Sequence, residues 1–462
     1  MEKNYMPSFA QALICFGGII MMVVVGLIYF EISIHVIMTI CIVWTCCNMV
    51  LLGYGFKEIK FAMSEGIKKG LSAFYIFFLI GLVIAAFIES GTIASIVFYS
   101  LDLIHPAVFL PVSVLICSFM SVALGTSWGT AGTAGIVLIG IGSAIGIPLP
   151  LVAGAIVSGA TFGDKLSPVS DTTNLAAAAS GTDLYKHITS MLYTTIPTYV
   201  ITLILFTIIG LNYSSGALSS PEIISFQQAI DENFIVSFWT FIPIIVLLAL
   251  SLNKVSAEPA MMASVLAAII IAILIQDRPL LEIFASLQDG YSVNTNYDAL
   301  NTLVNRGGIQ SMMWTLSLTM IALALGGLLE FAKYLVILLE GLLAKIKSAL
   351  SLTFTTMCTG FLACMSMGDS YISIIVTSQL FKVKYAEMKL EKYMLSRTVE
   401  ESTTIICPII PWTSAGAFYF GALGVPVLDY LPFAFLNYLN PIVSLIFTYF
   451  GYAIFKLQRV EK

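Results

Sequence analysis

The sequence predicts an all-α membrane protein built as an inverted-topology repeat, with about ten transmembrane helices, two re-entrant hairpins and two broken helices. Three observations carry that prediction. The composition is strongly apolar. Apolar runs of about 20 residues recur along the chain. Two polar stretches broken by Gly and Pro stand about 240 residues apart, and the loops that the same shift matches carry opposite charge.

Hydrophobic residues make up 59% of the chain and charged residues 10%, against about 25% charged in soluble domains. Mean hydropathy is +0.97. The first apolar run, Phe9 to Tyr29, is long enough to span and no small-residue cleavage site follows it, so no removable signal peptide is expected and the mature chain is expected to start at Met1. The net charge of −5 is spread thinly over loops. With no basic run, nucleic acid is excluded as a partner, and membrane lipids are expected instead. The eight cysteines lie mostly in apolar runs without metal-ligand spacing and are expected to act as small buried hydrophobes.

In chain order the spanning candidates are 9–29, 32–53, 71–89, 190–211, 234–252, 256–276, 310–330 and 430–453. Regions 106–183 and 350–421 are apolar but cut by Gly, Pro, Ser, Thr and isolated charges, as broken or re-entrant helices are. Lys57, Lys60, Lys68 and Lys69 follow the second span, which places that loop and both termini on the cytoplasmic side of the cell membrane. Alternating from there puts Lys3, Lys186, Lys254, Lys333, Lys345, Lys347, Lys382, Lys384, Lys389, Lys392, Lys456, Arg459 and Lys462 inside. Only Arg278 and Arg306 fall outside, and Lys165 and Arg397 lie in the irregular regions.

GTSWGT begins at Gly125 and GDSYIS at Gly368, while Pro168 in SPVSDTT matches Pro408 in CPIIPWT. The same shift lays 71–89 on 310–330 and 190–211 on 430–453. The Lys-rich loop 57–70 then meets the acidic loop 277–309, so corresponding loops lie on opposite sides. The halves are residues 1–211, with hairpin and broken helix in 106–183, and 234–453, with hairpin and broken helix in 350–421. The hairpin tips are expected at Gly125–Thr130 and Met367–Ser370.

The breaks hold the chemistry. Pro168, Pro408 and Pro411 remove backbone donors and leave carbonyls free at mid-depth, and half-helix ends make ion sites. Asp171, Thr172, Thr173 and Asn174 offer consecutive oxygens to a hard cation such as Na⁺, with Asp171 and Asn174 as its leading ligands. Asp164 is read either as a proton-carrying partner of Asp171 or as the counter-ion of Lys165 or a helix cap. Arg397, Glu400 and Glu401 are spaced for an intrahelical ion pair, and one glutamate is left to face the cavity as proton carrier or cation ligand. Asp369 and Ser370 form the second tip, Asp369 as cap or ligand. Thr403, Thr404, Thr413 and Ser414 complete a polar pocket with Thr126 and Ser127, lined by Trp128, Tyr371 and Trp412. His35, His105 and His187 fall near segment ends and receive no role. With no nucleophile, phosphate loop or metal-hydrolase spacing, the chain is not expected to be an enzyme, and transport would be driven by ion gradients.

FGDKLSPVSDTTNLAAAASGTD (162–183), GTSWGTAGT (125–133), MGDSY (367–371) and EESTTIICPIIPWTSAG (400–416) closely resemble the signature regions of the NhaC family of sodium/proton antiporters, and the resemblance runs over nearly the whole chain. It implies a secondary transporter in which the hairpins and broken helices move, elevator-like, against a scaffold of helices 1–89 and 234–330 that often dimerises. The family also includes exchangers resembling the malate/lactate antiporter MleN. The expected activity is therefore Na⁺/H⁺ antiport, with Na⁺ as transported or coupling ion and no cofactor. The alternative is Na⁺- or H⁺-coupled exchange of a small organic anion or amino acid, with Lys165 or Arg397 as its partner. A channel conflicts with charges occluded at two breaks.

Overall fold

The computed structural model describes residues 6–100, 105–213, 220–253, 255–343 and 346–457. Lys3, Lys254, Lys345, Arg459 and Lys462, used above to set orientation, lie outside the described residues. Among the described residues the fold is helical, with a single isolated bridge between Leu390 and Lys456.

Ser8 and Gln11 form a capping box that starts α1 (Phe9–Ile28), and α2 (Ile34–Leu51) returns beside it. The amphipathic α3 (Phe56–Lys68) leads into α4 (Leu71–Glu89) and α5 (Thr92–Ser100). Helix α6 (Pro106–Leu124) opens on Pro, whose missing N–H costs nothing at that position. It ends at Gly125, where φ is +69° and a side chain would be strained. The chain reverses there, and Thr126 caps α7 (Ser127–Thr130), which continues through a π-helical turn at Ala131–Gly135 into α8 (Ile136–Ala144). Helices α9 (Leu149–Leu166), α10 (Asp171–Ser180) and α11 (Leu184–Leu211) complete this half.

After α12 (Ser220–Asn233) come α13 (Ile242–Leu252), α14 (Ala257–Leu274) and three short surface helices, α15 (Leu280–Asp289), α16 (Asp298–Val304) and α17 (Gly308–Ser311). Helices α18 (Met313–Phe331) and α19 (Tyr334–Leu343) precede α20 (Ala349–Met367), which stops at Gly368 with φ of +65°. Asp369 then caps α21 (Ser370–Glu387), as Thr126 caps α7. Helix α22 (Lys392–Ser402), a 3-10 turn at Cys407–Ile409 and α23 (Ser414–Leu423) follow, and α24 (Val427–Tyr430) and α25 (Phe435–Tyr449) end the fold.

Among the described residues six helices, α1, α2, α6, α11, α18 and α20, are long and apolar enough to cross a membrane, or up to ten spans exist if each bent helix pair counts as one. Their outward faces are apolar, with Met21 on α1, Phe119 on α6 and Ile208 on α11 exposed, as lipid contact requires. The chain is thus a multi-pass membrane protein. The first arms of the expected hairpins, α6 and α20, have 19 residues each, about 28 Å of helix at about 1.5 Å per residue. They are as long as spanning helices because each helix continues, through Pro111 in α6 and Gly360 in α20, to the glycine that turns the chain.

Helix α9 packs directly on α6, and its glycines make that approach feasible. A β-carbon on Gly163 would stand 2.4 Å from the Ser118 carbonyl oxygen, and one on Gly159 2.4 Å from that of Val114. Gly163→Val should therefore push the helices apart and cost about 1–3 kcal/mol or more. Thermal unfolding in detergent checks this, with Gly17→Ala not destabilised because a β-carbon there meets nothing within 4 Å.

Candidate functional site

The break between α9 and α10 begins at Ser167, held extended (φ −81°, ψ 125°) by the ring of Pro168. Helix α10 restarts with Ser170 as cap, its hydroxyl accepting from the Thr173 N–H at 3.4 Å. Asp171 is the first helical residue, where the helix N-terminus favours a negative charge. The second break, from Thr403 to Thr413, contains Pro408 and Pro411. Thr413 caps α23 at 3.0 Å from the Gly416 N–H.

Lys165, at the end of α9, is the hub between the two breaks. Its ammonium lies 3.2 Å from Asp164 Oδ2, 3.2 Å from Glu400 Oε1 on α22, and donates to Thr172 Oγ1 at 2.6 Å. Ser170 donates to Asp164 Oδ1 at 2.7 Å, and the Thr173 hydroxyl stands 3.2 Å from Glu400 Oε1. The second oxygen of Glu400 meets His187 Nε2 of α11 at 2.5 Å. His187 and Glu400 are fully buried, Lys165 is 1% exposed and Asp164 5%. One ammonium shared by two carboxylates makes each bond replaceable, which a closed one-to-one pair does not. The network is buried, so its charges act on one another strongly.

Asp171 looks the other way. It is solvent-exposed, accepts the Thr172 N–H at 2.8 Å on Oδ1 and the Tyr371 hydroxyl on Oδ2. A cavity of about 360 Å³ reaches it, passing the first tip at Gly125 and Thr126, the break at Val169, and Glu258. Asp171 is thus wet and Asp164 dry, and Thr172 lies between them, its hydroxyl accepting from Lys165 and its N–H donating to Asp171. Carboxylates placed so can take up a cation or a proton.

A model of the Na⁺/H⁺ antiporter family matches residues 2–173 and 159–452. The chain belongs to this family. It is 36% identical over 99% of its length to the Na⁺/H⁺ antiporter NhaC of Alkalihalophilus pseudofirmus, covering 98% of that protein. It is also 35% identical, over 98% of this chain and 96% of the relative, to the malate-2H⁺/Na⁺-lactate antiporter of Bacillus subtilis. The arginine/ornithine antiporter ArcD of Halobacterium salinarum is 35% identical over 97% of this chain and 93% of its own. Relatives named as antiporters are transporters and not enzymes.

In this family member, Asp164, Lys165, Thr172, Thr173, Glu400 and Thr404 share one buried network, the Thr404 hydroxyl lying 3.2 Å from the Glu400 carbonyl. Thr126 joins Asp171 at the cavity, and Ser127 is half-buried beside it. Asn174 sits at the break, but its amide nitrogen donates to the Pro168 and Ser170 carbonyls at 2.9 and 2.7 Å, closing the turn. Asp369 caps α21 and accepts from Ser414 Oγ at 3.2 Å, while the Ser414 N–H donates to the Gly368 carbonyl at 2.7 Å. These two residues and the half-buried Ser370 tie the second tip to the second break, apart from the Lys165 network. Thr403 and Thr413 donate to the Val399 and Cys407 carbonyls, each at 2.7 Å. Trp128 stacks on Phe418, and Trp412 donates to the Met365 carbonyl.

Arg397 and Glu401 form a separate buried pair, Nε to Oε1 3.7 Å. Thr194 and Ser444 donate to Glu401 at 2.5 and 2.7 Å, and Arg397 donates to the Ala453 carbonyl at 3.1 Å with its guanidinium over Phe455. The pair pins α22 to α11 and α25. Sequence reasoning passed over His187, because its partner Glu400 is more than 200 residues away and a lone histidine near a span end carries no spacing signal.

Proposed function

We propose that the protein is a secondary active antiporter exchanging Na⁺ for H⁺ across the cytoplasmic membrane. The observation that carries this reading is the Lys165 ammonium divided between Asp164 and Glu400 beside the Asp171 cavity. Na⁺ enters to Asp171. As Lys165 settles on Glu400, Asp164 is released to share the ion, and Thr172 supplies a hydroxyl. A proton on the network restores the starting arrangement, so Na⁺ and H⁺ alternate.

The matched devices of the two halves support an inverted repeat of residues 1–211 and 234–453. Each half turns its hairpin on a left-handed glycine followed by a capping side chain, and each restarts its broken helix on a hydroxyl cap. With the Lys-rich loops inside, both termini are cytoplasmic, and the cavity near Ser256 and Glu258 opens toward the cytoplasm. The hairpins and broken helices form the moving unit of an elevator, and the scaffold helices offer the surface for a homodimer.

In proteoliposomes carrying a proton gradient, added Na⁺ should dissipate the gradient. Asp171→Asn should weaken apparent Na⁺ affinity by roughly 10- to 150-fold, the worth of about 1.5–3 kcal/mol for one charged ligand bond. A gradient untouched by Na⁺ in vesicles containing folded protein overturns the reading. The cavity volume favours a second reading, because small-molecule sites begin at about 300 Å³. Strong uptake of labelled malate, lactate or arginine with weak bare Na⁺/H⁺ exchange would make an organic solute the cargo.

A further inference from the structure

We propose that His187 holds the exchanged proton, at Nδ1, an assignment that rests on the Na⁺/H⁺ reading above. His187 Nδ1 lies 2.8 Å from Ser396 Oγ, and that hydroxyl also stands 3.1 Å from the Tyr393 carbonyl. Ser396 has one proton to give. When His187 carries both ring protons, Nε2–H donates to Glu400, Nδ1–H donates to Ser396, and Ser396 donates to Tyr393. When Nδ1 is bare, Ser396 turns its hydroxyl onto Nδ1, and the Nε2–H bond to Glu400 is kept. Both states are fully bonded, so the buried ring can gain or lose a proton without orphaning a polar group.

Charge ties this proton to the cation. Around His187, α22 presents Glu400 directly, with Glu401 and Arg397 paired to each other beyond it. Across Glu400, α9 presents Lys165 and Asp164. Of the other helices packed on α11, α10 carries Asp171 as its one charged residue, and α6 and α25 carry none. With His187 charged, Asp164, Lys165, Glu400 and His187 sum to zero. Loss of the Nδ1 proton leaves the four with one negative charge and strengthens the hold of Glu400 on Lys165. Asp164 is then free for Na⁺, which returns the sum to zero. The proton leaves to bulk water as the ion arrives, and the Lys165–Asp164 ion pair opens in exchange for the contact of Asp164 with Na⁺. Na⁺ and H⁺ therefore compete through the charge of the network and occupy different atoms.

Two measurements on the full chain test this. In ¹⁵N-histidine spectra of the His35→Gln/His105→Gln protein, which retains His187 alone, saturating Na⁺ at constant pH should convert an imidazolium signal to a neutral one. His35 and His105 lie outside the network, on Ser317 and at the α6 cap. An unchanged ring signal on Na⁺ binding overturns the proposal. In weakly buffered detergent solution, wild type should release about one proton per Na⁺ bound. His187→Gln should still bind ²²Na⁺, release close to none, and lose the rise of Na⁺ KM with falling pH. Proton release kept by His187→Gln overturns the assignment while Na⁺/H⁺ exchange stands. Wild type that neither binds Na⁺ nor exchanges it removes the underlying reading and the assignment with it.

Discussion

Lys165→Met should both destabilise the protein and abolish Na⁺/H⁺ exchange. The ammonium is the shared counter-charge of two buried carboxylates at 3.2 Å each, and removing it leaves Asp164 without a counter-charge and Glu400 with His187 alone. Breaking a buried pair in this way costs about 3–5 kcal/mol. Met keeps the length and apolar stem of Lys, so packing at the end of α9 is preserved and the loss reports charge. The double variant Lys165→Met/Glu400→Gln removes one of the stranded carboxylates. It should regain much of the thermal stability in detergent while exchange in proteoliposomes stays absent, because nothing remains to be displaced by the incoming ion. Exchange that persists in Lys165→Met would mean that the ammonium only supports the fold.

Much of this architecture was legible in the sequence, and the reason is the membrane. Hydrocarbon demands long apolar runs with satisfied backbones, so α1, α2, α4, α14 and α18 fall within a few residues of the runs that predicted them. The breaks were legible for the converse reason. Pro168, Pro408 and Pro411 cannot continue a helix, and the polar residues around them are tolerated only away from lipid. Side-chain partners were not legible. Nothing local distinguishes a Glu400 bound to Lys165 from one bound to Arg397, since both cations are near and the deciding contacts cross from α9 and α11. His187 and the turn-closing Asn174 belong to the same class. Their roles depend on where an amide or ring nitrogen points, and residue spacing does not encode that.

The adjacent glutamates offer the sharpest separation of transport from scaffold, and their neutralised variants should differ in kind. A helix turns by about 100° per residue, so Glu400 reaches Lys165 and His187 while Glu401 reaches Thr194, Ser444 and Arg397. Glu401→Gln leaves Arg397 buried without its counter-charge and should cost about 3–5 kcal/mol of stability. Protein that remains folded should keep its apparent Na⁺ KM within about twofold of wild type, since no group at the cavity has changed. Glu400→Gln removes the competitor of Asp164 for Lys165. The ammonium then stays on Asp164, Na⁺ must displace an unshared ion pair, and apparent Na⁺ affinity should fall by roughly 10- to 150-fold, with the pH dependence flattened. Thermal unfolding and Na⁺-dependent gradient dissipation, measured on the same preparations, check both. If Glu401→Gln shifts Na⁺ KM and its pH profile as far as Glu400→Gln does, the two ion pairs act as one network, and the Arg397 pair must be counted in the exchange.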